Sequence, residues 1–135
     1  VSPSEILSVE CDVLAPCAMG AILDENSIDS LRTSVICGAA NNVLRDPDAD
    51  ARRLAKREIL YAPDFIVNAG GLIHLAGLYL GHSLEQLKAM IERIEDTTMT
   101  VFEMASDHET TGHAALALAR KRVAEGGVKE QINAG

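Results

Sequence analysis

Three short apolar runs, each ending in a loop of small and amide residues, constrain this chain more than any other feature. The first segment is Cys11-Asp12-Val13-Leu14-Ala15-Pro16-Cys17-Ala18-Met19-Gly20. The second ends in Ala39-Ala40-Asn41-Asn42, and the third is Tyr61-Ala62-Pro63-Asp64-Phe65-Ile66-Val67-Asn68-Ala69-Gly70-Gly71. Strands are read at residues 12–15, 34–37 and 65–67. None alternates apolar with polar side chains, and continuous apolar strands belong in a parallel sheet covered on both faces. In open α/β sheets, ligands bind beyond the carboxyl ends of the strands. Three such ends within the first 71 residues predict half of a nucleotide-binding sheet, an α/β fold with a doubly wound parallel sheet.

Helices fill the remainder. Ser2-Pro3-Ser4-Glu5 reads as a helix start, with proline in the first turn and an acid near the positive helix end. Residues 21–31 read as loop and short helix. Asp46-Pro47-Asp48 is a turn signal, and Asp48 or Asp50 is placed to cap a helix to about Glu58. Ala51, Leu54 and Ala55 face inward in that reading, with Arg52, Arg53, Lys56 and Arg57 outward. After Gly71, Leu72, Leu75, Ala76 and Tyr79 form an apolar stripe that Gly81 ends. Ser83 and Gln86 form a capping box for a long helix. Its stripe of Leu84, Leu87, Ile91, Ile94, Thr98, Val101 and Ala105 is expected to pack across the sheet. Thr111 begins a last helix with Ala114, Leu116, Leu118 and Val123 as its apolar members. Residues 1–125 are expected to form one unit, and 126–135 a flexible tail with few anchors.

Composition excludes several function classes. The 135 residues carry a net charge of −8, which repels phosphate backbones, and only two Phe, two Tyr and no Trp to stack on bases. No nucleic-acid partner is expected. No apolar run reaches the length of a membrane span, and no signal peptide is read. Cys11, Cys17 and Cys37 are odd in number and lie in or beside apolar runs, as reduced thiols of a cytoplasmic protein do. Cys11 and Cys17 lack zinc spacing, and His108 and His113 with Asp107 and Glu109 read as a solvated cluster, so no metal is expected.

The candidate site lies at the strand ends. Ala15, Pro16, Cys17 and Ala18 form one wall of a crevice. Cys17 has no neighbouring histidine to activate it as a nucleophile. Ala40 and Asn41 follow the second strand, where small residues admit a planar ring and an amide offers both donor and acceptor. An Asx turn explains the asparagine equally well. Asn68 precedes paired glycines that open the next corner, and it can cap a helix N-terminus there whether or not it also meets a ligand. Leu72 and Leu75 read as core residues, and His74 between them is structural or at the surface.

The three segments together resemble the cofactor domain of the glutamate/leucine/phenylalanine/valine dehydrogenase family, with branched-chain and aromatic members the nearest likeness. The resemblance implies the second half of a Rossmann-like sheet followed by C-terminal helices. It implies NAD, an apolar L-amino acid and a 2-oxo acid as ligands, and a homo-oligomer, dimer or octamer. Hydride would pass from the amino acid to the nicotinamide, with hydrolysis to a 2-oxo acid and ammonia. Ala15, Pro16, Cys17, Ala18, Ala40 and Asn41 would then bind cofactor. Asn68 would contact the amino-acid head group, and Leu72 with Leu75 would line the side-chain pocket. Two leucines do not suit a carboxylate side chain; leucine, valine, phenylalanine and tryptophan all remain open.

Two family features are absent from the sequence. None of the ten glycines fits G-x-G-x-x-G. Lys56, Lys88, Lys121 and Lys129 match no catalytic-lysine motif, so no catalytic residue is assigned. The resemblance covers only the C-terminal third of a family member. The expected partners are therefore the N-terminal catalytic domain and the first Rossmann half, which would cover the edge of the strand at 12–15. Taken alone, the chain is expected to be inactive. A non-catalytic half-Rossmann module that binds a nucleotide or a partner is the alternative, and a scaffold built on the long helix is a third reading.

Overall fold

A computed structural model of the chain describes residues 1–2 and 5–126. Three parallel strands, β1 (Val13–Leu14), β2 (Val35–Ile36) and β3 (Leu60–Tyr61), lie side by side in chain order. Val13 is level with Val35 and Val35 with Leu60; Leu14, Ile36 and Tyr61 form the next row. Among the described residues, six α-helices follow or separate them: α1 (Glu25–Ser30), α2 (Ala49–Lys56), α3 (Asp64–Val67), α4 (Gly70–Tyr79), α5 (Leu84–Met104) and α6 (Thr111–Ala124). The chain is α/β, with its parallel sheet first and its longest helices last. The expected tail lies, from residue 127, outside the described residues, as do Pro3 and Ser4 of the expected first helix. The rest of that expected helix is a single 3-10 turn at Ile6–Ser8.

The third strand differs from the sequence reading. Phe65, Ile66 and Val67 are helical, and the ladder ends at Tyr61. Pro63 has no N–H to continue the ladder, and its carbonyl accepts from Ile66 N (3.0 Å) and Val67 N (3.2 Å). A short apolar run cannot distinguish a strand from a buried helical turn by periodicity.

Local chemistry sets the helix ends. Asp24 and Ser27 close a reciprocal capping box on α1: Ser27 N donates to Asp24 Oδ1 (3.0 Å) and Asp24 N to Ser27 Oγ (2.8 Å). Arg57 donates to the carbonyls of Ile28 and Leu31, tying the end of α1 to the end of α2. On α2 neither Asp48 nor Asp50 caps. Asp46 does so, accepting from the backbone of Ala49 (2.9 Å) and Asp48 (3.0 Å). Asp50 is instead buried, accepting from Asp46 N (2.8 Å) and Arg53 Nη1 (2.7 Å), while Ala55 is exposed. The Ser83–Gln86 capping box opens α5 as expected.

The core has two parts. The first gathers Leu23, Ile28, Ile36, Val43 and Leu54 between the sheet and helices α1 and α2. The second gathers Ile66, Val101, Ala114 and Ala115 between helices α3, α5 and α6. The stripe of α5 therefore packs mainly on α3, α4 and α6 rather than across the sheet, and Leu84 at its start is exposed. Helices α4 and α5 approach closely at Gly77, where an added Cβ would lie 2.0 Å from Leu87 Cδ2. Because that glycine faces the partner helix, the leucine stripe of α4 is left outside, as is Tyr79. On α6, Ala114 and Ala115 are buried while Leu116 and Val123 are exposed. Small side chains let α6 lie close to its neighbours. The outer edge of β1 has no strand partner among the described residues, and Val13 there is exposed.

Val101 is 0% exposed, so Val101→Asp buries an unpaired charge and is expected to cost several kcal/mol. The check is loss of cooperative thermal unfolding; an unchanged melt would place that face outside the core. Backbone hydrogen bonds from Ser27 and from Ala49, respectively, hold the carboxyls of Asp24 and Asp46 below the usual carboxylate range. Their stabilisation is present above the ordinary carboxylate pKa and lost as pH falls through the depressed folded values. Asp24→Asn with Asp46→Asn should flatten the acid limb of melting temperature against pH, measured by scanning calorimetry.

Candidate functional site

The strand ends meet backbone to backbone. Ala40 N donates to Pro16 O at 2.9 Å. A Cβ added at Gly38 would lie 2.1–2.7 Å from backbone atoms of Pro16, so only glycine permits this approach. Ala15, Cys17 and Ala18 are exposed beside it, and Pro16 and Ala40 are buried. The loops beyond are joined as well. Ala21 N donates to Asn42 O (2.7 Å), Leu23 N to Val43 O (3.1 Å) and Arg45 N to Leu23 O (2.8 Å). Asn42 sits at φ 51°, the left-handed region that asparagine tolerates better than most residues.

Helix α3 carries the third contribution. Asn68 ends it, with its N–H bonded to Asp64 O at 2.9 Å. Its side chain caps no helix. Instead Asn68 Nδ2 donates to Asn41 Oδ1 at 2.6 Å and, at 3.4 Å, to Ala40 O. Two asparagines 27 residues apart thus form one amide pair at the carboxyl end of the sheet. The Asx-turn and N-cap readings both fail, because each side chain is engaged with the other. One donor group, Asn41 Nδ2, and one acceptor, Asn68 Oδ1, make no hydrogen bond among the described residues. The pair therefore keeps the donor and acceptor that a carboxamide or an amino-acid head group needs. Leu72 (72% exposed) and Leu75 (69%) lie on α4 just beyond, and their exposure removes the core reading. His74 is exposed too.

Asp64, to which the sequence pattern assigns no role, lies behind the amide pair. It is 8% exposed, and its Oδ2 accepts from Val43 N at 2.8 Å. Its N–H bonds Tyr61 Oη at 3.3 Å. Burial, with a smaller push from the Asp64 carboxylate, raises the Tyr61 phenol above its usual range. The available signal was Pro63-Asp64 directly after a strand, a helix-start pattern.

His113 stands apart from the amide pair. Its Nε2 lies 2.8 Å from Asp48 and its Nδ1 3.1 Å from Thr110 Oγ1. It is half-buried and fastens α6 to the turn before α2, so it does not belong to a solvated cluster. It lines a cavity of about 170 Å³ with Tyr61, Asp64, Phe65 and Leu116. Cys17, Asn41 and Asn68 do not reach that cavity. Among the described residues, no three His, Cys, Asp or Glu side chains gather as a metal site, and no helix is long and apolar enough to cross a membrane.

This arrangement, a parallel sheet whose strand ends hold small residues and an amide pair, followed by C-terminal helices, is that of the second half of a Rossmann-like sheet. Comparison with known proteins narrows the class. The glutamate/leucine/phenylalanine/valine dehydrogenase family matches residues 1–129, and the chain belongs to that family. L-tryptophan dehydrogenase of Nostoc punctiforme is 42% identical over 124 residues, which are 91% of this chain and 35% of that protein. Leucine dehydrogenase of Thermoactinomyces intermedius is 42% identical over 105 residues, 78% of this chain and 28% of that one. The crystal structure of the Nostoc punctiforme enzyme superposes with a TM-score of 0.88 at 41% identity, covering 93% of this chain and 38% of that chain. The chain thus spans about a third of the length of the curated relatives it matches.

The contact at Gly38 is testable. Gly38→Ala forces the β1 and β2 ends apart and is expected to destabilise the fold by roughly 1–3 kcal/mol. The check is urea unfolding; an unchanged midpoint would mean that the loop yields.

Proposed function

We propose that these residues form the nicotinamide side of an NAD-dependent L-amino-acid dehydrogenase, which reversibly converts an apolar amino acid to a 2-oxo acid and ammonia. The observation that carries this is the Asn41–Asn68 amide pair at the carboxyl ends of the strands. Asn41 follows β2 and Asn68 follows α3, so one pair borders both a cofactor crevice and a substrate corner. In this reading Asn41 and the buried Ala40 face the nicotinamide. Ala15, Pro16, Cys17 and Ala18 form the crevice wall, where exposed small side chains leave room for a planar ring. The free donor and acceptor of the pair suit a carboxamide, so the residues present fit that end of the cofactor. NAD, when bound, supplies the hydride acceptor.

Asn68 orients the substrate head group, and Leu72 and Leu75 meet its side chain. Both leucines are exposed, as a surface to be covered by an apolar side chain requires. The relatives named for leucine and tryptophan agree with an apolar substrate. No residue of this chain exchanges a proton in the reaction. Its contribution is positioning, which can lower a barrier by several kcal/mol. The catalytic lysine and the pyrophosphate loop come from the N-terminal catalytic domain and first Rossmann half of a longer polypeptide. That polypeptide assembles as a cytoplasmic homo-oligomer.

The test uses the full-length enzyme. Asn41→Ala should weaken NADH binding by on the order of tenfold, as loss of one or two hydrogen bonds does, measured by fluorescence titration. Asn68→Ala should chiefly raise KM for the amino acid. Exchanged effects would reverse the two assignments. NADH binding without turnover of any amino acid would favour a non-catalytic module.

A further inference from the structure

Both asparagines lie close in the chain to groups that Asp64 hydrogen-bonds. Asp64 reaches the loop after β2 through its side chain, Oδ2 to Val43 N at 2.8 Å, two residues beyond Asn41. It reaches Asn68 through its backbone, Asp64 O accepting from Asn68 N at 2.9 Å. The bond to Val43 is buried, where an amide without an acceptor is costly. The loop would have to move to find another acceptor. Other contacts leave it little freedom elsewhere: Val43 O accepts from Leu23 N, and Ala40 N donates to Pro16 O. Among the described residues, the Asp64 carboxylate is the buried side chain that hydrogen-bonds this loop from α3. The amide pair, at 2.6 Å, therefore depends on a bond made behind it.

We infer that Asp64 is a positioning residue of the site, setting the distance and angle between Asn41 and Asn68 through its hydrogen bond to the Val43 amide. The inference rests on the cofactor and substrate roles proposed above for the two asparagines. Asp64 touches neither ligand, and it acts only through the loop and the helix that carry them. What it needs for this is an acceptor of the right reach, not a charge. Asparagine keeps that acceptor and alanine does not.

The experiment is a double-mutant cycle in the full-length enzyme, read as NADH affinity and as KM and kcat for the amino acid. Asp64→Ala is expected to lower kcat/KM on the order of 100-fold, the effect of a misplacement of about 1 Å. Asp64→Asn should stay within about threefold of the parent, since the bond to Val43 survives. Added to Asn41→Ala, Asp64→Ala should weaken NADH binding little further, because groups acting as one unit are non-additive. Fully additive effects, or an Asn variant as impaired as the Ala variant, would overturn the inference. If Asn41→Ala alone leaves NADH binding unchanged, the proposed cofactor site fails. If it weakens binding while Asp64→Ala does not, only the positioning role fails. Should Asp64→Ala not fold, amide hydrogen exchange in the parent enzyme decides. Slow exchange at Val43 that persists in Asp64→Asn supports the bond, and fast exchange in the parent refutes it.

Discussion

The loop after β2 has to satisfy its backbone on three sides at once, and most of the molecule is arranged around that requirement. Its Ala40 N–H goes to Pro16 beyond β1, its Val43 carbonyl to Leu23, and its Val43 N–H to the Asp64 carboxylate at the start of α3. Two of these partners lie between β1 and α1 and the third at the start of α3, so the loop's hydrogen bonds are complete only when all of these segments are in place. Buried peptide groups left without partners cost about 1–3 kcal/mol each, a penalty large against the stability of a small domain. The glycines obey the same constraint. Gly38 and Gly20 stand where a Cβ would collide with backbone atoms of the neighbouring strand end or loop.

Hydrogen bonds from α3 and α6 tie the two parts of the core together. One lies under the sheet with α1 and α2, and the other among α3, α5 and α6. Tyr61 stands at the seam, with its carbonyl accepting from Thr111 Oγ1 of α6 at 2.7 Å and its hydroxyl accepting from Asp64 N. The amide pair spans the same seam, because Asn41 belongs to the sheet side and Asn68 to the helical side. A pair built across a seam takes its separation from packing that neither side sets alone. The exposed leucines of α4 fit the same plan, since the helix spends its glycine face on α5 and presents its apolar face outward.

Much of this was legible in the residues. Continuous apolar runs at 12–15 and 34–37 mark two parallel strands, Ser83 and Gln86 mark the start of α5, and Asn41 marks the loop after β2. These signals are local: they need only a few neighbouring side chains and the pattern of hydrophobicity. Local signals also misled where two structures share one pattern. Phe65-Ile66-Val67 is as apolar as a strand but forms a helical turn behind Pro63. The stripe of α4 looks like a core face, yet it lies outside because Gly77 takes the contact with Leu87. Nothing in the spacing of α6 separates Ala114 and Ala115, which are buried, from Leu116, which is not.

The sequence by itself determined the class of fold and the residue types at the strand ends, because hydrophobic periodicity and turn chemistry act over a few residues; the family followed from a resemblance that those residues carry. Only the tertiary structure decided that Asn68 bonds Asn41 rather than capping a helix, that Asp64 holds the loop between them, and that His113 pairs with Asp48. Those partners are 27, 21 and 65 residues apart. Which of several possible acceptors a polar group meets at such separations depends on how the strands and helices pack around it.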